Sequence, residues 1–158
     1  MTKYILSALV QNHPGVLTKI SGLFSRRGFN IESLAVGVCE KTNYSRMTII
    51  VNGDEDTVDQ VSKQLNKLIE VIEVKLIPEN EAVQRELVLI KVKADSQFRS
   101  EIMQISEIFR AKIIDVSQDT LTLEITGQES KIEGFINMLK PFEIKKIIRT
   151  GTVAVARG

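Results

Sequence analysis

The residues best placed for chemistry are Asn12-His13-Pro14-Gly15-Val16-Leu17, which follow the apolar run Ile5–Val10 and open an amphipathic segment ending at Arg27-Gly28-Phe29-Asn30-Ile31. A strand meets a helix N-terminus there through a glycine turn. The first N–H groups of a helix lack internal partners and carry the positive end of its dipole, so such a junction can hold a small carboxylate. Gly15 permits positive φ and close approach of a ligand, Pro14 stiffens the entry, and Asn12 can close the turn on itself or donate to a carboxylate. Turn chemistry and ligand binding both fit these residues. The second reading points to an amino-acid sensor before it points to an enzyme.

Catalysis is poorly provisioned. The chain has one histidine, one cysteine and no tryptophan, and it lacks the G-x-S-x-G, H-E-x-x-H, P-loop and dinucleotide fingerprints. His13 stands beside Pro14 with no sequence-local carboxylate partner, which suits a solvated or ligand-adjacent loop residue better than an acid or base. The acidic cluster Asp54-Glu55-Asp56-Asp59 reads as helix-capping charge rather than as a metal site. Cys39, the single cysteine, excludes an intrachain disulfide and a thiolate cluster, and it sits in the strand-like run about Leu34–Val38 as a small core or half-buried hydrophobe. A net charge of +1, from 21 basic and 20 acidic side chains, creates no global field toward nucleic acid or an anionic membrane.

The elements that must position the loop follow from periodicity. Residues 4–10 read as a central strand, and Val16, Ile20, Leu23 and Phe24 form a helical stripe that stops at Gly28, a left-handed C-cap with Phe29 folding back. Runs 29–40 and 44–52 form a hairpin, Val58, Val61, Leu65 and Leu68 a second helix capped by Asp54, and 71–77 a fourth strand. Pro78-Glu79-Asn80-Glu81 breaks the pattern, and the same order restarts: strand 87–94, helix with Ile102, Ile105, Ile108 and Phe109, hairpin 112–117 and 120–126, helix with Ile132, Phe135, Ile136 and Leu139, strand 142–149. Both halves read βαββαβ, an α+β chain of two ferredoxin-like domains over 1–77 and 85–158 with a linker at 78–84. Halves this small gain by packing an open sheet face or edge on another copy, so oligomerisation is expected. The short apolar run before Gln11 suits neither a signal segment nor a membrane span, and the expected location is cytoplasmic.

RNA binding is the obvious rival for βαββαβ, because Arg27-Gly28-Phe29 imitates the start of an RNA-recognition motif. The imitation fails. That motif belongs on the third strand with further aromatics, whereas Asn30-Ile31-Glu32-Ser33 follow here and precede the second strand.

Taken together the residues resemble the small regulatory subunits of acetohydroxyacid synthase, also called acetolactate synthase, whose N-terminal half is an ACT domain. The resemblance rests on Asn12-x-x-Gly15-Val16-Leu17, on the run Gly22–Leu34, and on Ser45-Arg46-Met47-Thr48-Ile49. In the second half it rests on Arg85-Glu86-Leu87, Glu107-Ile108-Phe109-Arg110, Ile113-Ile114-Asp115-Val116 and Arg149-Thr150-Gly151. It implies a subunit without catalysis of its own that binds a catalytic large subunit, activates it, and makes branched-chain amino-acid synthesis sensitive to valine. Thiamine diphosphate, magnesium and FAD would belong to that partner, and none to this chain. In similar ACT homodimers the effector lies between chains, which carries ligand contact onto Asn12, Gly15, Val16 and Leu17 of one copy and Asn30 and Ile31 of the other, with His13 and Pro14 filling variable loop positions. The alternative within the same fold is a free-standing amino-acid-sensing ACT protein that regulates another enzyme. A sheet order of 4-1-3-2 leaves the second strand on an edge, where a neighbour could pair. The corresponding loop of the second half, Ala94-Asp95-Ser96-Gln97-Phe98, lacks glycine and places an acid where an anion would sit, so one effector site per chain is expected.

Overall fold

The computed structural model describes residues 2–158. Its first elements are β1 (Thr2–Gln11), α1 (Val16–Arg27), β2 (Ile31–Val38), β3 (Tyr44–Gly53), α2 (Glu55–Asn66) and β4 (Val71–Ile77). They are followed by β5 (Ala82–Lys93), α3 (Arg99–Ile108), β6 (Lys112–Val116), β7 (Thr120–Gly127), α4 (Glu129–Leu139), β8 (Ile144–Arg149) and β9 (Val153–Ala156). Two compact units result, residues 1–83 with 152–158, and residues 84–151.

The first unit carries an antiparallel sheet in the order β2-β3-β1-β4, the predicted 4-1-3-2 arrangement. Leu6, Ala8, Val10, Met47, Ile49 and Val51 alternate onto one face and meet Val16, Ile20, Leu23 and Phe24 of α1 and Val58, Val61 and Leu65 of α2. Each of the Val, Leu, Ile, Met and Phe side chains among them, fully buried, contributes about 1.5–3 kcal/mol relative to exposure. Gly28 ends α1 in the left-handed region at φ 67°. Its N–H donates to Ser25 O at 3.3 Å, and the Phe29 N–H donates to Phe24 O at 3.2 Å. The Phe29 ring lies edge-on to Phe24 with centroids 6.4 Å apart. This fold-back keeps Phe29 and Asn30 out of the strand, so β2 is shorter than the run 29–40 suggests. Asp54 caps α2 as expected, its Oδ1 accepting from the Thr57 hydroxyl at 2.7 Å and the Thr57 N–H at 2.8 Å. Those two bonds, the hydroxyl first, hold the Asp54 carboxyl below its ordinary 3.8.

The opposite face of this sheet holds Ile5, Ile50 and Ile77, and it is closed by Ala82 and Ala154. The Thr152 N–H donates to Ser33 Oγ at 3.0 Å, and the Ala154 N–H to Thr48 Oγ1 at 3.4 Å. The Arg157 N–H donates to Glu81 O at 2.7 Å. The sequence division assigns residues 152–158 to the second domain, whereas their contacts group them with the first unit. A four-residue strand Val-Ala-Val-Ala after Gly151, with small side chains on alternate positions, has too little contrast to announce itself.

The second unit repeats the plan with the order β6-β7-β5-β8. Val88, Ile90, Val92, Leu121, Leu123 and Ile125 face Ile102, Ile105, Ile132, Phe135, Ile136 and Leu139. Arg149 ties strands to helix, its Nε 2.5 Å from Glu86 Oε1 and its Nη1 3.0 Å from Glu133 Oε1. Cys39 lies just past β2, half-buried, with Sγ 3.6 Å from Tyr44 O. Among the described residues no helix is long and apolar enough to cross a membrane.

Candidate functional site

The loop between β1 and α1 is held at both ends. The Gln11 N–H donates to Glu70 O at 2.8 Å and the Asn12 N–H to Asn43 O at 2.9 Å. At the far end Gly15 adopts φ 91° and ψ −15° as the N-cap of α1, and no side chain bonds there. A β-carbon at Gly15 would meet nothing within 4 Å, so the glycine is required by its backbone conformation rather than by crowding.

The helix start is open. The Lys19 N–H is the first to close a full turn, onto Gly15 O at 3.0 Å, and the Val16 N–H makes only a long 3.4 Å bond to His13 O. Leu17 and Thr18 lie in the first turn, where N–H groups have no carbonyl one turn back. No acidic side chain occupies that turn. Val16 is 4% exposed and packs in the core, so only its backbone is available, whereas Leu17 at 49% projects its side chain outward. Asn12, His13 and Pro14 are exposed. The His13 ring is engaged within the loop, Nε2 at 2.9 Å from Gln11 Oε1 and Nδ1 at 3.1 Å from Pro14 O.

Asn30 and Ile31 are at the other end of the sheet. Ile31 pairs with Val51, and Val51 with Tyr4, so seven steps along β1 separate them from Gln11. At about 3.3 Å per residue this is roughly 23 Å. Within one chain the residues 12–17 and 30–31 form no common site. Asn30 instead lines an open cleft of about 560 Å³ with Tyr4, Arg27, Phe29, Asn52 and Thr57.

β2 is an edge strand, and Val36 and Val38 along it are 48% and 80% exposed. Its Val38 end lies beside Ser45, next to the Gln11–Tyr44 pair from which the loop departs.

The equivalent loop of the second unit is filled by its own side chains. Asp95 Oδ1 accepts from the Gln97 N–H at 3.0 Å. The Arg99 guanidinium donates to Ala94 O at 2.8 Å, Ser117 O at 2.6 Å and Gln118 O at 2.8 Å. One charged pair beside the loop is not legible in the sequence: Lys19 of α1 reaches Glu70, between α2 and β4, in a hydrogen-bonded ion pair. A lone acid ahead of an apolar strand carries no signal of such a contact.

Comparison with known proteins gives the family. Residues 6–73 match a family model described as an AHAS small subunit-like ACT domain, and residues 85–158 one described as the small subunit of acetolactate synthase. A "Probable acetolactate synthase small subunit" of Archaeoglobus fulgidus is 53% identical, over 99% of this chain and 98% of its own length. The acetolactate synthase small subunit of Mycolicibacterium smegmatis is 49% identical over 98% of this chain and 91% of its own. The crystal structure of the acetolactate synthase small subunit from Thermotoga maritima superposes with a TM-score of 0.94 at 47% identity, covering 100% of this chain and 99% of that one. With its ACT unit in place and similarity running from end to end, the chain belongs to the acetolactate synthase small-subunit family.

Proposed function

We propose that this chain is the regulatory partner of a catalytic acetolactate synthase subunit, raising its activity and conferring feedback inhibition by valine. The observation that carries the reading is the asymmetry between the two equivalent loops. One leaves its helix start open beside Gly15, and the other is filled by Asp95 and Arg99. In this reading the carboxylate of valine meets the N–H groups of the Gly15–Leu17 turn and the Asn12 amide, as an anion does at a helix N-terminus. The chain supplies the binding surface. Thiamine diphosphate, magnesium and FAD belong to the catalytic subunit and carry the chemistry there.

The separation of Asn30 from the loop supports a site shared between two copies. Pairing β2 with the β2 of a second copy about a two-fold axis runs the strands antiparallel, which sets the Ile31 end of one against the Val38 end of the other. Asn30 and Ile31 of one copy then approach residues 12–17 of the next, and the isopropyl group meets Ile31 and Leu17. Inhibition requires this arrangement to be coupled to the catalytic subunit by about 1–3 kcal/mol, an ordinary allosteric magnitude. Leucine and isoleucine differ from valine by one methylene, worth about 1–3 kcal/mol in an apolar pocket, so discrimination among the three is modest.

Reconstitution tests the proposal. Adding the chain to the matching catalytic subunit is expected to raise acetolactate formation and to make it fall with added valine. If neither rate nor valine response changes, the reading fails, and a free-standing ACT regulator of another enzyme takes its place.

A further inference from the structure

Glu70 is bound to both flanks of the loop. Its carbonyl oxygen accepts from the Gln11 N–H at 2.8 Å, at the end of β1, and its carboxylate is hydrogen-bonded to Lys19 Nζ. Lys19 stands four residues after Gly15, directly below it on the helix surface, since residues at i and i+4 are neighbours there. The Glu70 side chain is 11% exposed, while that of Lys19 is 59% exposed. A carboxylate so placed is weakly screened by water, and it stands behind the helix start where a ligand anion would arrive.

We infer that Lys19 neutralises Glu70 so that the adjoining loop can accept an anionic effector, which makes the pair a charge-balancing and positioning element of that site. The inference rests on the loop's being the effector site. The charged and titratable groups facing Glu70 are Lys19 from α1 and His13 from the loop, both of which draw its carboxyl below the ordinary 4.5. The Lys19 hydrogen bond is the larger cause, so Glu70 stays ionised at any neutral assay pH. Glu70 thus links the last residue of β1 to the first turn of α1, and without Lys19 it would oppose the ligand with a charge of the same sign.

The test uses the full chain with its catalytic subunit, reading the valine concentration for half-inhibition, and the chain alone, reading valine binding by calorimetry. Lys19→Met is expected to weaken both by about threefold or more, because it uncovers the Glu70 charge. Adding Glu70→Gln to that variant is expected to restore both to within about twofold of the parent, since the charge is then gone. A staple that acts by holding shape alone gives the opposite order, with the double variant as weak as Lys19→Met or weaker, and that outcome overturns the inference. Glu70→Gln alone keeps shape and hydrogen-bonding reach, and it is expected to bind valine at least as well as the parent; a loss equal to that of Lys19→Met also overturns the inference. A parent chain that does not respond to valine overturns the functional reading and this inference together, whereas a responsive parent with an unmoved Lys19→Met overturns the inference alone.

Discussion

Gly15 concentrates the local constraints of the loop into one residue. Its φ of 91° lies in the region that costs other L-residues about 1–2 kcal/mol, while the open space around it would tolerate a side chain. Two substitutions therefore separate backbone from charge. Asparagine tolerates the left-handed region, so Gly15→Asn is expected to keep the loop conformation. Gly15→Asp adds a carboxylate at the helix start and is expected to raise the half-inhibitory valine concentration by more than about tenfold, a loss of about 1.4 kcal/mol. Valine inhibition that survives the aspartate unchanged would remove the loop from the mechanism. At this scale the sequence was informative about conformation and silent about contact. Gly15, Gly28 and Asp54 announce their backbone roles because only a few residue types suit those positions, and each is found in that role. The Lys19–Glu70 pair could not be read, since it joins residues fifty-one apart through the fold and neither has an unusual neighbour. His13 likewise gave no hint that both of its ring nitrogens face oxygens of its own loop.

At the scale of elements, hydrophobic period recovers the four α-helices and eight of the nine described strands, and the errors fall where period is overruled. β2 loses Phe29 to the helix cap, because an edge-on ring contact and a closing N–H bond compete with strand pairing. β9 is missed because it is short and its alanines give a weak apolar face. Its contribution can be measured. Two of its backbone N–H groups or their neighbours are satisfied by Ser33 and Thr48, and such bonds are worth about 0.5–1.5 kcal/mol each. Deleting residues 152–158 is expected to lower the stability of the first unit by about 1–3 kcal/mol on that basis. Amide exchange should rise in β1 and β3, with β7 protected as before. Unaltered exchange in β1 and β3 would mean that the strand rests on the sheet without stabilising it.

For the whole molecule, the site as proposed does not exist in one chain. The roughly 23 Å between Gln11 and the level of Ile31 is set by strand length, and no side-chain rearrangement closes it. Effector binding and self-association should then be linked, each strengthening the other. Lysines on an edge strand discourage pairing with another chain. Placing them at the exposed Val36 and Val38 is expected to shift sedimentation from dimer toward monomer and to abolish valine binding, although neither valine belongs to the residues assigned to the ligand. A monomer that binds valine with full affinity would place the site within one chain and refute the shared arrangement.

The returning strand β9 also sets an order in time. During synthesis, residues 2–83 leave the ribosome well before 153–156, with the whole of 84–151 made in between. At about 5–20 residues per second this interval lasts on the order of several seconds. Throughout it Ile5, Ile50 and Ile77 lack the Ala154 that later closes over them. A nascent chain stalled in the second half would thus leave that sheet face without its cover, which residues 152–158 bring to it only after 84–151 have been made.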